Sequence, residues 1–272
     1  MCGIFGIITS SNSVYKKNFL KKSFKKIAYL SESRGKDSSG ICVFDGNKNN
    51  INLLRGPVPI KEIIKKKSFK ENLDIAFKKS DVSRYAFGHS RLVTNGSQLD
   101  DYNNQPVYLD DTVGVHNGIV SNYEQIITDE NMQLDTDLDT KILLSLIRSE
   151  INKSSNLQNG VSKAIDKVEG TVAAAFVFTD INEFVLATNN GSVYVLVNKK
   201  QDILFFASEL NILKKFESSI NLKIIGDYKI NQLISNSGIA INLDIFSIES
   251  FNFKNNSKSE ILIKKLNSRV KE

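Results

Sequence analysis

From residue 171 onward the chain passes through four short apolar stretches in quick succession, 171–178, 183–188, 192–197 and 203–207, separated by tight turns. Val, Phe, Ile and Ala dominate them, and their lengths suit strands rather than helices. A short helix beginning near Ser208 interrupts the series, which 222–225, 238–241 and 246–253 then continue. The helical patterns lie elsewhere, in groups, and do not alternate with every strand. This distribution speaks against a doubly wound parallel sheet and predicts an α+β chain of stacked, largely antiparallel sheets between helix layers.

The first half supplies the helices. The opening run 2–9 is apolar on both faces and reads as a central strand covered on both sides. A helix over 14–30 follows, with Leu20, Phe24, Ile27 and Ala28 at helical spacing. A strand at 41–44 leads to a second basic helical stretch reaching about residue 77. The strand 85–90 runs into a polar loop, 94–105, and the strand 113–116 ends abruptly at Asn117-Gly118. In the helix 139–151, Ile142, Leu143, Leu146, Ile147 and Ile151 make one stripe, and Asp135, Asp137 and Asp139 favour its positive end. A further helix covers 157–168. No linker or repeat divides the chain, so one domain over 2–255 is expected, followed by a basic tail, 256–272, either helical or frayed.

Composition narrows the function classes. The chain has 272 residues, a net charge of +6 and two cysteines, Cys2 and Cys42, which make no disulfide framework. It has no apolar run of membrane-spanning length and no secretory signal pattern. A soluble, cytoplasmic protein with no membrane partner is the expectation. Lysines cluster at Lys16-Lys17, Lys21-Lys22, Lys25-Lys26 and Lys65-Lys66-Lys67. They interleave with apolar residues at helical spacing and so read as wet helix faces. No zinc-ligand spacing, phosphate-binding loop or RNA-binding aromatic motif accompanies them, so neither nucleic acid, metal nor cofactor is expected.

Several short segments carry chemistry. Cys2 becomes the first residue once Met1 is removed, and its thiol then has a base in its own α-amine; the plainer reading is a small residue starting a strand. The loop Arg34-Gly35-Lys36-Asp37-Ser38-Ser39-Gly40 is turn-rich and suits packing beside a chain terminus. In Gly88-His89-Ser90-Arg91-Leu92-Val93-Thr94-Asn95-Gly96 the planar fork of Arg91 suits a carboxylate. At Asn117-Gly118 a side-chain amide lies beside a backbone N–H, as in an oxyanion hole or, equally, a hairpin turn. Asp139 suits either a substrate ammonium or a helix start. His89 and His116 are too few for a metal site, and Cys42 reads as core.

Taken in order, Met-Cys-Gly-Ile, Arg-Gly-Lys-Asp-Ser-Ser-Gly, Gly-His-Ser-Arg-Leu-Val-Thr-Asn-Gly, His-Asn-Gly-Ile-Val and Leu-Asp-Thr-Lys-Ile resemble the motifs of class II glutamine amidotransferases. These are glutaminase domains of the N-terminal-nucleophile hydrolase superfamily, and the likeness is greatest to the glutaminase half of glucosamine-6-phosphate synthases. With Phe206-Ala207-Ser208-Glu209-Leu210 and Gly238-Ile239-Ala240-Ile241, which also resemble segments near the end of such domains, it extends over roughly residues 2–250. The resemblance implies a four-layer αββα sandwich and hydrolysis of the glutamine amide to glutamate and ammonia. Cys2 would be the nucleophile, Asn117 and Gly118 the oxyanion hole, Arg91 and Thr94 the carboxylate ligands with Asn95 beside them, and Asp139 the ammonium ligand, preferred to the alternative Asp137 because the register Ile142-Leu143-Leu146 then matches the family helix.

The sequence departs from that pattern at three places. Leu92 stands where the synthases have a tryptophan, Asn95 where they have a histidine, and Lys141 where an acidic residue is common. A sugar-isomerase region is also missing from the 272 residues. A separate ammonia-accepting synthase subunit, with amino-sugar biosynthesis as the pathway, is therefore the expected partner. An amidase for another substrate and a non-catalytic regulatory module on the same fold are the alternatives.

Overall fold

Strand β1 (Gly3–Thr9) is buried along its whole length, as a run apolar on both faces requires. After it come α1 (Lys17–Ser31), β2 (Ser38–Phe44), β3 (Ile51–Gly56), α2 (Ile60–Lys65) and α3 (Lys67–Ala76). Next are β4 (Arg84–Arg91), β5 (Val107–Leu109), β6 (Thr112–Val120), α4 (Tyr123–Asp129), α5 (Asp139–Ser154) and α6 (Leu157–Asp166). The second half adds β7 (Gly170–Phe178), β8 (Glu183–Thr188), β9 (Tyr194–Asn198), β10 (Ile203–Ala207) and α7 (Leu210–Ser219). It closes with β11 (Tyr228–Leu233), β12 (Ser237–Asn242), β13 (Ile248–Asn252) and β14 (Ile263–Lys265). This computed structural model describes residues 2–44, 51–78, 81–92, 104–134 and 138–253, and the backbone of 263–265.

The strands form two sheets, ordered β14-β11-β9-β10-β1-β4-β2-β3 and β13-β12-β8-β7-β6-β5. Pairing is antiparallel throughout both. Alternation of side chains across each strand then generates three apolar layers. On one face of the first sheet, Phe5, Ile7, Ile41 and Val43 pack against α1, α2, α3 and α7. On the outer face of the second sheet, Val172, Ala174 and Phe176 pack against α4, α5 and α6. Between the sheets lie Ile4, Ile8, Phe87, Val113, Val115 and Phe206 with their neighbours. The result is the expected αββα sandwich.

The middle layer is held by aromatic rings. Phe184 of the second sheet meets Phe87 of the first edge-on, with centroids 5.3 Å apart and planes at 87°, and Tyr85 at 5.7 Å. Phe206 adds a third ring at 5.9 Å. Gly6 makes this possible, because a Cβ there would overlap the ring of Phe206 and crowd Phe87.

Some expectations need correction. The segment 222–225 is a 3-10 turn, Leu222–Ile225, and not a strand. Its buried residues, Leu222 and Ile225, are three apart while Lys223 and Ile224 face out; that is a helical period, which four residues are too few to display. The basic stretch before residue 77 contains β3 and two helices, because Lys66 adopts an extended conformation between them. Strand β11 and helix α4 add elements that the alternation of short apolar runs did not signal. Within the expected tail, the backbone of 263–265 pairs with β11.

Charge pins the outer helices. Glu130, after α4, accepts from Lys153 of α5 and from Lys167 beyond α6, each at 2.5 Å. Glu150 of α5 accepts from the same two lysines at 3.1 and 2.7 Å. These lysines hold the Glu130 carboxyl at about 2, below its ordinary 4.5. A depressed carboxylate contributes stability that is complete above its unfolded value and lost as pH falls through its folded one. Glu130→Gln is therefore expected to flatten the loss of stability between pH 4.5 and about 2, read by urea titration across that range. Removing the central ring is a second test: Phe184→Ala should lower unfolding free energy by about 3–5 kcal/mol, measured the same way at neutral pH.

Candidate active site

The middle layer turns polar at one end of the sandwich. Moving two residues along each strand keeps the side chain on the same face. Ile4 is thus succeeded by Cys2, Val115 by Asn117, Phe206 by Ser208 and Ala173 by Thr171. These side chains come from both sheets and line one cavity of about 680 Å³, together with Gly118 and Arg34. Asn190, Ser192, Tyr194 and residues 209–211 also line it.

Cys2 sits one residue before β1 begins its pairing with β4 and is partly exposed. Its Sγ lies 3.7 Å from the Leu92 carbonyl oxygen, and its own carbonyl accepts from Arg34 Nε at 3.2 Å. Burial pushes the Cys2 thiol up from its ordinary 9.0; a backbone hydrogen bond with Leu92 and the charge of Arg91 oppose this, while Asp139 reinforces it. Arg91 and Asp139 thus act on the thiol through their fields without lining the cavity.

Arg91 ends β4 and is buried. Gly35 packs against it so closely that a Cβ would overlap the Arg91 carbonyl. Asp37 N–H donates to that carbonyl at 3.0 Å, so the turn-rich loop is bound to the end of β4. Asp139 opens α5, and its Oδ2 stands 3.9 Å from His116 Nδ1. Thr94 and Asn95 fall outside the described residues, as does Asp137.

The Asn117-Gly118 pair is a strand segment and not a hairpin turn. It lies inside β6, in register with Ala173 and Val172 of β7. Gly118 is required sterically, because a Cβ would overlap the Thr171 carbonyl oxygen and crowd His116 Nε2. On the other edge of β6, the Gln105 side chain binds both backbone groups of His116: its Oε1 accepts the N–H at 2.6 Å and its Nε2 donates to the carbonyl at 3.1 Å. Backbone groups two residues apart on a strand point to the same edge. Gly118 N–H is accordingly directed to the side that β5, whose pairing stops at Gly114, leaves uncovered among the described strands.

Two histidines flank this end. His116 faces α5, and its Nε2 lies 3.1 Å from the Thr171 carbonyl. His89 is fully buried, and burial, with Arg91 and His116 nearby, pushes it down to about 3, so it is neutral. Among the described residues no group of His, Cys, Asp or Glu is placed to hold a metal, and no helix is long and apolar enough to cross a membrane. Gln105 is a site neighbour that the motifs did not signal, since it acts only through the backbone of His116.

Comparison with known proteins agrees with this architecture. Residues 89–215 match the family model described as a glutamine amidotransferase domain. The glutamine–fructose-6-phosphate aminotransferase (isomerizing) of Buchnera aphidicola is 29% identical over 224 residues, covering 79% of this chain and 34% of that protein. That of Francisella tularensis is 25% identical over 268 residues, covering 96% and 40%. The chain thus spans well under half the length of these relatives. The structure of glutamine phosphoribosylpyrophosphate amidotransferase from B. subtilis, complexed with ADP and GMP, superposes with a TM-score of 0.65 at 20% identity. It covers 93% of this chain and 49% of its own, and shows that the fold is shared. The chain carries a glutamine amidotransferase domain of class II, a class of enzymes. Within that class it is similar in sequence to the aminotransferases named above.

The clamp on His116 is open to test. Gln105→Leu keeps bulk but leaves two buried backbone groups without partners, each worth about 1–3 kcal/mol. The expected outcome is a lowered urea midpoint and faster hydrogen exchange in β6; an unchanged midpoint would mean that water replaces the amide.

Proposed function

We propose that the chain hydrolyses the side-chain amide of glutamine to glutamate and ammonia through a thioester on Cys2. The observation that carries this reading is the meeting of Cys2, from one sheet, with Asn117 and Gly118, from the other, around a single cavity. A nucleophile facing two amide donors is the arrangement that acyl transfer requires.

The reaction is assigned as follows. Because burial raises the thiol, Cys2 rests protonated near neutral pH and needs a base when it attacks. The α-amine exposed by removal of Met1 takes that proton. Sγ bonds to the amide carbon, and the carbonyl oxygen, now negative, is held by Asn117 Nδ2 and Gly118 N–H. The amine returns its proton to the departing nitrogen as the C–N bond breaks, giving ammonia and the thioester. Water, deprotonated by the same amine, then cleaves the thioester to glutamate and regenerates the thiol.

Binding roles follow from charge. Arg91 takes the α-carboxylate, with Thr94 and Asn95 on the adjoining segment, and Asp139 takes the α-ammonium. We assign the ammonia to a partner synthase, expected as a separate subunit, because ammonia released to water is lost to biosynthesis. The sequence likeness to glutamine–fructose-6-phosphate aminotransferases favours an amino-sugar acceptor. The domain is taken as residues 2–255, with 256–272 as its tail.

Purified protein incubated with glutamine should release glutamate, and Cys2→Ala should abolish it. Asn117→Ala should lower kcat by about 10²–10³-fold, the cost of one oxyanion donor. Intact mass should show the loss of Met1. Glutamate formation that survives Cys2→Ala sinks the mechanism, and its absence in the wild type favours the regulatory alternative.

A further inference from the structure

Cys2 lies at the very start of the first strand, where a chain end frays unless something ties it down. The pairing of β1 with β4 begins only at Gly3. Cys2 itself is held through its carbonyl, which accepts from Arg34 Nε at 3.2 Å. Arg34 comes from the short 3-10 turn Glu32–Arg34 and crosses over the strand. Gly3 permits that crossing, because a Cβ there would stand 2.8 Å from both Cβ and Cγ of Arg34.

Arg34 is oriented in turn by Glu209. Its Nη1 is ion-paired with Glu209 Oε1, and the arginine side chain is only 14% exposed. Glu209 occupies the N-cap position of α7, where a side chain ordinarily accepts from the helix's own first N–H groups. It makes no such bond. Its carboxylate is turned to Arg34 instead. The residue before it, Ser208, grips the neighbouring backbone: Ser208 Oγ accepts from Ile4 N–H at 3.2 Å, and Ser208 N–H donates to the Ile4 carbonyl at 3.0 Å. Ser208 and Glu209 therefore fasten two points near the start of β1, one directly and one through a guanidinium.

We propose that Glu209 is a positioning residue for the nucleophile: by holding Arg34 it fixes the Cys2 carbonyl, and with it the directions of the Cys2 amine and thiol. This rests on the glutaminase reading above. A guanidinium offers several donors in a rigid plane, so anchoring one end to a carboxylate sets the direction of the Nε–H at the other. Rotation about the residue-2 backbone would otherwise swing both reacting groups relative to Asn117 and Gly118. Misplacement of about 1 Å in such a constellation costs on the order of 10²-fold in rate.

The test uses the full chain with Glu209→Ala, Glu209→Gln, Arg34→Ala and the double variant Arg34→Ala/Glu209→Ala. Glu209→Ala should lower kcat for glutamine hydrolysis by about 10–100-fold while KM stays within about twofold, since orientation and not binding is lost. Glu209→Gln keeps an acceptor for Arg34 and should recover part of the loss, which also covers the case in which the alanine variant folds poorly. The double variant should be no slower than Arg34→Ala, because both residues act through one contact. A second readout does not need turnover: alkylation of Cys2 by iodoacetamide, followed by mass across pH, with the fully buried Cys42 unreactive. Glu209→Ala should displace that pH profile. A wild type that alkylates but does not turn over glutamine overturns the glutaminase reading, whereas unchanged kcat and unchanged alkylation in Glu209→Ala overturn the positioning role. Additive losses in the double variant, or a raised KM with kcat intact, overturn it as well.

Discussion

The aromatic layer between the sheets is the constraint on which the site depends. Cys2 and Asn117 belong to different sheets and meet only because the sheets are locked face to face. Phe87 and Phe184 meet across the layer, and Gly6 leaves room for Phe206 beside them. Side chains alternate with a period of two, so a one-residue slip of β1 against β4 or β10 would turn Ile4, Ile8 and Cys2 to the helix face together. Burial of Ile4 and Ile8 in the middle layer therefore fixes the direction of Cys2, two residues away from Ile4 on the same face. Core packing and the geometry of the candidate site are one requirement here, met by one register.

The same continuity explains the electrostatics. The site is the place where the apolar layer gives way to polar side chains, so each of these has hydrocarbon on one side. Burial is the first cause of both the raised Cys2 thiol and the depressed His89. Both shifts favour the uncharged form. A neutral His89 beside Arg91 adds no second positive charge near the end of β4. Arg91 and Asp139 act on the thiol with opposite signs.

The layered architecture was legible because it follows from local signals: short apolar runs, tight turns and the stripe from Ile142 to Ile151. Elements with weaker signals were not. Strand β11 reads Tyr-Lys-Ile-Asn-Gln-Leu, with polar residues between its apolar ones, and α4 buries only Ile126. Leu222–Ile225 contains too few residues to reveal its period. At the site, Cys2 and Asn117-Gly118 stood out as residue types with a chemistry of their own. Gln105 did not, because a glutamine in a polar stretch is ordinary, and Glu209 stood only as part of Phe206-Ala207-Ser208-Glu209-Leu210, with no role of its own. Each gains its place only from a fold that brings it to His116 or to Arg34.

The opposed fields of Arg91 and Asp139 give the proposed substrate a consequence of its own. A free amino acid is a zwitterion, and on the proposed reading its carboxylate neutralises Arg91 while its ammonium neutralises Asp139. The two influences on the thiol, one lowering and one raising, would then be damped together. A ligand carrying only one charge would leave the other residue's field uncompensated near the thiol. The burial contribution, the largest of the causes, would then act beside an unbalanced charge. On the proposed reading the pair answers to both ends of the substrate at once, and its charges bear on Cys2 as well.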